Sequence, residues 1–213
     1  MTNEEFIETV ITYYHESREI TIEAGAFNIW RGVSHSISSK TEDLLALFIA
    51  ERLNDESLEF IVDKTFTMRQ QDRSSITFRP DIAIVRDDQI THIIDLKMDM
   101  GYKRRYHETD GFNTLQNNFT RLRSLDFDTV SFDNETRIFT VSESIKNHIV
   151  VISEKNEGNI NNRIDMINHI SALDWVEIYY LSGDVHPNNY INATPTIRHA
   201  NFDRLFNDIV NNL

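Results

Sequence analysis

Pro80-Asp81 is followed, thirteen residues on, by Asp95-Leu96-Lys97. Between them two apolar runs, Ile82–Val85 and Ile90–Ile94, flank the polar Arg86-Asp87-Asp88-Gln89, a pattern that predicts a β-hairpin. A three-residue loop over 87–89 makes Arg86 face Ile90; facing positions then sum to 176 and Asp81 lies opposite Asp95. Side chains alternate along a strand, so Lys97 shares a face with Asp95, while Ile82, Ile84, Ile94 and Leu96 fill the other. Two opposed carboxylates in an apolar hairpin repel one another and are costly to desolvate. A divalent cation removes that conflict, since Mg²⁺ favours one or two carboxylates completed by water and phosphate oxygens. The argument depends on register, because a shift of one residue carries Asp95 to the far face. Two plainer roles stand beside it: Asp81 as the turn residue after Pro80, and Asp95 as a carboxylate neutralised by Lys97.

The elements that must hold this hairpin follow from apolar periodicity. A first helix is expected over about 3–18, with Phe6, Ile7, Val10, Ile11 and Tyr14 on one stripe, then a loop containing Gly25 and Gly32. A second helix is expected over about 40–53, and strands over about 58–67, 76–86 and 90–97. A basic stretch at Tyr102–His107 leads to a helix of about 109–124 with Phe112, Leu115, Phe119 and Leu122 on one face. Strands at 137–141, 147–153 and 175–182, with helices at 161–172 and 200–211, complete the chain. That order predicts one α/β (α+β) domain over 1–213, with its core at about 38–182 and a mixed sheet flanked by helices.

Composition narrows the chemistry. The chain has 213 residues, no cysteine and a net charge of −13, which removes disulfide scaffolds, thiolate zinc sites and cysteine nucleophiles. The longest apolar run, Leu44–Ala50, is too short to span a bilayer, and the acidic start is unlike a signal peptide. A cytoplasmic protein with no membrane partner is therefore expected. Charge is uneven: residues 1–60 carry −8, 61–123 carry +2 and 124–213 carry −7. Neither GxxxxGK[ST] nor GxGxxG occurs, and the eight histidines show no HExxH spacing.

The hairpin with Pro80-Asp81 and Asp95-Leu96-Lys97, set between amphipathic helices, resembles the PD-(D/E)XK nuclease superfamily, which includes many restriction endonucleases. The likeness covers about two-thirds of the chain and implies a restriction-endonuclease-like core of order α-β-β-β-α-β. It implies Asp81 and Asp95 as metal-binding carboxylates, the backbone carbonyl of Leu96 as a further ligand, and Lys97 beside the attacking water and scissile phosphate. The implied metal is Mg²⁺, with Mn²⁺ as substitute. Members often add a glutamate on the preceding helix; Glu42 is the candidate, on one stripe with Leu45, Ile49 and Leu53. Ser39-Lys40-Thr41-Glu42 equally fits a capping box, and Asp43 and Glu51 are weaker substitutes.

Arg79, Lys103, Arg104, Arg105 and Arg121 are the expected nucleic-acid contacts, with Arg69, Arg73 and Arg123 as further cations; the alternative is a solvated basic loop. Gln116 and His35 echo positions used by some nuclease families without the rest of their patterns, and His92 reads as a strand residue. The expected activity is metal-dependent cleavage of double-stranded DNA by a possible homodimer. An RNA- or structure-specific nuclease of the same fold, or a non-catalytic binding module, stays open.

Overall fold

The computed structural model describes residues 1–19, 36–69, 75–101, 105–122, 127–130, 136–156, 160–189 and 193–213. Helix α1 (Asn3–Glu19) begins with a reciprocal cap: Glu5 N–H donates to Thr2 Oγ1 at 3.1 Å, and Thr2 N–H donates to Glu5 Oε2 at 2.7 Å. Helix α2 (Ser38–Leu53) ends at Asn54, whose left-handed backbone (φ 46°) lets its N–H reach the Ala50 carbonyl. Strands β1 (Leu58–Val62), β2 (Phe66–Arg69), β3 (Ser75–Phe78), β4 (Ile82–Arg86) and β5 (Gln89–Lys97) follow. After a 3₁₀ turn at Tyr106–Glu108 come α3 (Asp110–Leu122), β6 (Phe127–Val130), β7 (Thr136–Ser153), α4 (Ile160–Ser171), β8 (Val176–Gly183), β9 (Thr196–Ile197) and α5 (His199–Val210).

The fold is mixed α/β. Six strands form a curled mixed sheet in the order β1-β4-β5-β7-β8-β9, antiparallel from β1 to β5, parallel across β5-β7-β8, and antiparallel again at β9. Strand β7 is 18 residues long because its first four, Thr136–Phe139, pair with β6 before it joins the main sheet, and beyond β6 lie β2 and β3. Each face of the main sheet is buried. Ile82, Ile84, Ile94, Leu96, Val150, Ile152 and Leu181 pack with residues of α1, α2 and α5. There Phe48 lies 4.9 Å from Phe6 and 5.6 Å from Phe202, ring centre to ring centre. The opposite face, with Ala83, Ile93, Ile149, Val151 and Ile178, packs with α3 and α4. Of the apolar stripes expected on α1 and α3, Phe6, Ile7, Val10, Phe112, Phe119 and Leu122 are buried, while Ile11, Tyr14 and Leu115 pack partly buried beside them.

The sequence-based expectations fail where strands break. The expected strand 58–67 divides at Asp63, whose φ of 50° leaves the extended region. The expected strand 76–86 divides at Arg79–Asp81, where Pro80 has no N–H to give a ladder. The strands expected at 137–141 and 147–153 are one continuous strand, and the short β6 and β9 were not anticipated. The Gly25/Gly32 loop and His35 lie outside the described residues.

One polar chain runs through the apolar layer on the α5 side. His92 Nδ1 lies 2.9 Å from His148 Nε2, His148 Nδ1 lies 3.1 Å from Tyr179 Oη, and Tyr179 Oη donates to Asp208 at 2.7 Å. Both imidazoles are fully buried. Burial holds His92 down to about 4 and His148 well below the usual histidine range. The unfolded chain therefore binds these protons first, near pH 6.5, and the stabilisation by the neutral pair is present above that pH and lost as pH falls. His92→Gln is expected to destabilise the protein most at neutral pH. In urea titrations the gap to the wild type should narrow between pH 6.5 and 5, by up to about 1.4 kcal/mol per pH unit.

Candidate active site

The hairpin of β4 and β5 closes through a two-residue turn, Asp87-Asp88, with both φ values positive (51° and 58°). This corrects the expected three-residue loop over 87–89: Arg86 faces Gln89, and not Ile90. A bulge then shifts the register, so Val85 pairs with Ile90 but Ile84 pairs with His92, leaving Thr91 as the extra residue. Its hydroxyl donates to the Ile84 carbonyl at 3.2 Å. From Ile84 onward the pairs follow the sum of 176, ending with Ile82 and Ile94, one step from Asp81 and Asp95.

Asp81 follows Pro80 in a bend ahead of β4 and is fixed from two sides. Its carbonyl accepts Asp63 N–H at 2.9 Å, and its Oδ2 accepts Leu96 N–H at 2.6 Å. Asp95 and Lys97 sit on the α3 face of β5, beside Ile149 and Val151 of β7. The Lys97 ammonium is the meeting point: it pairs with Asp95 Oδ1, lies 3.8 Å from Asp81 Oδ2 and donates to the Leu96 carbonyl at 3.2 Å. Tyr106 Oη donates to the other Asp95 oxygen, Oδ2, at 3.1 Å. The side chains of Asp81, Asp95 and Lys97 are only 25, 20 and 19% exposed. Burial, and then the charge of Asp95, push the Asp81 carboxyl up to about 7; Lys97 and the Leu96 amide oppose that rise.

Glu42 faces inward on α2, buried as the stripe with Leu45 and Ile49 predicts. The capping box is not formed: the helix starts at Ser38, whose hydroxyl donates to Glu42 Oε1 at 3.0 Å. Burial raises the Glu42 carboxyl above its usual range, the Ser38 hydroxyl opposes this, and the charges of Asp63 and Lys97 act on it more weakly. Of the weaker substitutes, Glu51 pairs with the N-terminal amine at 2.9 Å and Asp43 is exposed.

The expected cations divide by position. Arg79 pairs with Asp63 at 2.5 Å, is largely exposed, and feels the charges of Glu42 and Asp81, so it stands at the rim of the cluster. Arg105, exposed and 3.4 Å from Glu108, adjoins Tyr106. Arg121 is in the last turn of α3, about 17 Å along the axis from Asp110. Lys103, Arg104, Arg73 and Arg123 lie outside the described residues. Sequence reasoning missed Tyr106, read as part of a basic stretch, and Asp63, which orients Arg79 and braces Asp81. No spacing rule marks either.

The oxygen set suits one hard cation: two carboxylates and a main-chain carbonyl gathered around a point that an ammonium now occupies. Among the described residues no group of three or more His, Cys, Asp or Glu side chains is arranged to hold a metal. Because the folded protein holds the Asp81 proton more tightly than the unfolded chain, this group's stabilisation is present below about pH 4 and lost as pH rises through about 7. Asp81→Asn is therefore expected to stabilise the metal-free protein at pH 8, by about 1–3 kcal/mol, with the gain vanishing towards pH 4. Paired denaturation curves across that range check this.

No family model matches the chain, and comparisons with curated proteins and with solved structures gave no significant match.

Proposed function

We propose that the protein is a metal-dependent endonuclease of the PD-(D/E)XK type that hydrolyses phosphodiester bonds in double-stranded DNA. The observation that carries this reading is the convergence of Asp81, Asp95 and the Leu96 carbonyl on the Lys97 ammonium, at the end of a buried hairpin. The order α2, β1, β4, β5, α3, β7 supports the restriction-endonuclease-like core, with β2, β3 and β6 as additions around it.

In this reading Asp81, Asp95 and the Leu96 carbonyl hold Mg²⁺, with Mn²⁺ as substitute. When bound, such an ion would supply a water of lowered pKa and charge stabilisation at the phosphoryl oxygens. Lys97 orients the attacking water and shares the negative charge of the pentavalent transition state. Glu42, behind Asp81, adds negative field that favours a cation. Arg79 and Arg105, and with them Lys103 and Arg104, track the phosphate backbone; Arg121 contacts a more distant phosphate. A net charge of −13 limits non-specific attraction, which suits a cutter guided by direct contacts. Cutting both strands of a symmetric site calls for two active sites, hence a homodimer. No described helix is long and apolar enough to cross a membrane; the proposed setting is cytoplasmic.

The test offers double-stranded DNA, single-stranded DNA and single-stranded RNA to wild type and Lys97→Ala, with Mg²⁺, Mn²⁺ or chelator. Metal-dependent cutting of duplex DNA is expected, lowered at least about 10²-fold in Lys97→Ala. Cutting of RNA alone would reassign the substrate. Full activity in Lys97→Ala removes Lys97 from the chemistry, and binding without cutting by the wild type makes the protein a non-catalytic module. Arg79→Ala is expected to weaken DNA binding for all sequences and to reduce the salt slope by about one.

A further inference from the structure

We propose that Tyr106 is a positioning residue for the cation site: its phenol fixes the Asp95 carboxylate so that Oδ1 faces Asp81 and the Leu96 carbonyl. This inference rests on the metal-site reading above. The two carboxylates are steered by different means. Asp81 is held by the Leu96 main-chain N–H at 2.6 Å, which follows from hairpin register alone. Asp95 takes its orientation from side chains, with Lys97 on Oδ1 and Tyr106 Oη on Oδ2. A metal ion and the Lys97 ammonium compete for the same oxygens, so when Lys97 yields Oδ1, Tyr106 is the contact left to aim it.

The phenol is well placed for that task. Tyr106 is 4% exposed and opens the 3₁₀ turn, which is closed by Glu108 N–H to the Arg105 carbonyl at 2.9 Å and Thr109 N–H to the Tyr106 carbonyl at 3.1 Å. Its ring meets Phe112 edge-on at 5.4 Å, and Phe112 stacks on Trp175, which also stacks on Phe119 at 4.5 Å. The aromatic column ties the phenol to α3 and the sheet, so its position does not depend on the cation. Partners that orient metal-binding groups typically change affinity about 10–100-fold when removed.

Tyr106→Phe deletes the donor and keeps the ring against Phe112. Mn²⁺ binding to the full chain, followed by the loss of the free-ion electron paramagnetic resonance signal, is compared for wild type and variant, beside metal-free melting curves. The expected result is at least about tenfold weaker Mn²⁺ binding with little change in melting, and a cleavage deficit that excess Mn²⁺ relieves. Wild-type binding matched within about twofold by Tyr106→Phe overturns the role of Tyr106 and leaves the site reading in place. A wild type that binds no Mn²⁺ overturns both.

Discussion

One extra residue decides which face of the sheet carries the charges. The turn Asp87-Asp88 starts the β4–β5 pairing in a register that, continued unbroken, sets Asp81 across from Ile94 and points it away from Asp95. The bulge at Thr91 absorbs one residue of β5, and from Ile84 the two strands run with Asp81 and Asp95 side by side. The same step puts Ile82, Ile84, Ile94 and Leu96 against α1, α2 and α5. Packing and charge placement are thus a single choice: a β5 register shifted by one residue would turn Asp95 into the apolar α1–α2–α5 layer and carry Ile94 and Leu96 out of it.

Around this choice the protein balances a cluster that opposes its own folding. Two carboxylates share a site that is mostly dry, the Glu42 charge acts on Asp81 as well, and one ammonium serves as internal counter-ion. Breaking such a group by removing the cation leaves uncompensated charge, whereas removing an anion relieves it. Both faces of the main sheet supply the burial that carries the cost. The buried imidazoles on the opposite face respond to acid in the contrary sense to Asp81, so the two sets of groups partly offset one another in their effect on stability between about pH 4 and 7.

Much of this was legible in the residues, and the gaps have physical reasons. Helices α1, α2 and α3 reveal themselves through their apolar stripes, and β5 through its apolar run between turn residues. The nearness of Asp81, Asp95 and Lys97 also follows from alternation, although it arises from a short turn plus a bulge and not from the longer loop that gives the same sum. A bulge at a threonine leaves no mark in composition. Tyr106 meets Asp95 through a 3₁₀ turn, a contact that neither helical nor strand periodicity encodes. Glu42 shows both sides of the problem: its inward direction follows from the stripe, while its Ser38 partner depends on where the helix starts.

The parallel pairing of β5 with β7 has a further consequence, for the order of assembly. The hairpin is local and can form early, whereas Leu96 meets Val150 only after more than fifty intervening residues have been gathered in. Long-range parallel pairing is slow because loop closure precedes its reward. Asp81 and Asp95 therefore stay hydrated, and their repulsion screened, through the early stages. Desolvation of Asp95 is thereby coupled to the docking of β7, whose Ile149, Val150, Val151 and Ile152 enter both apolar layers of the sheet.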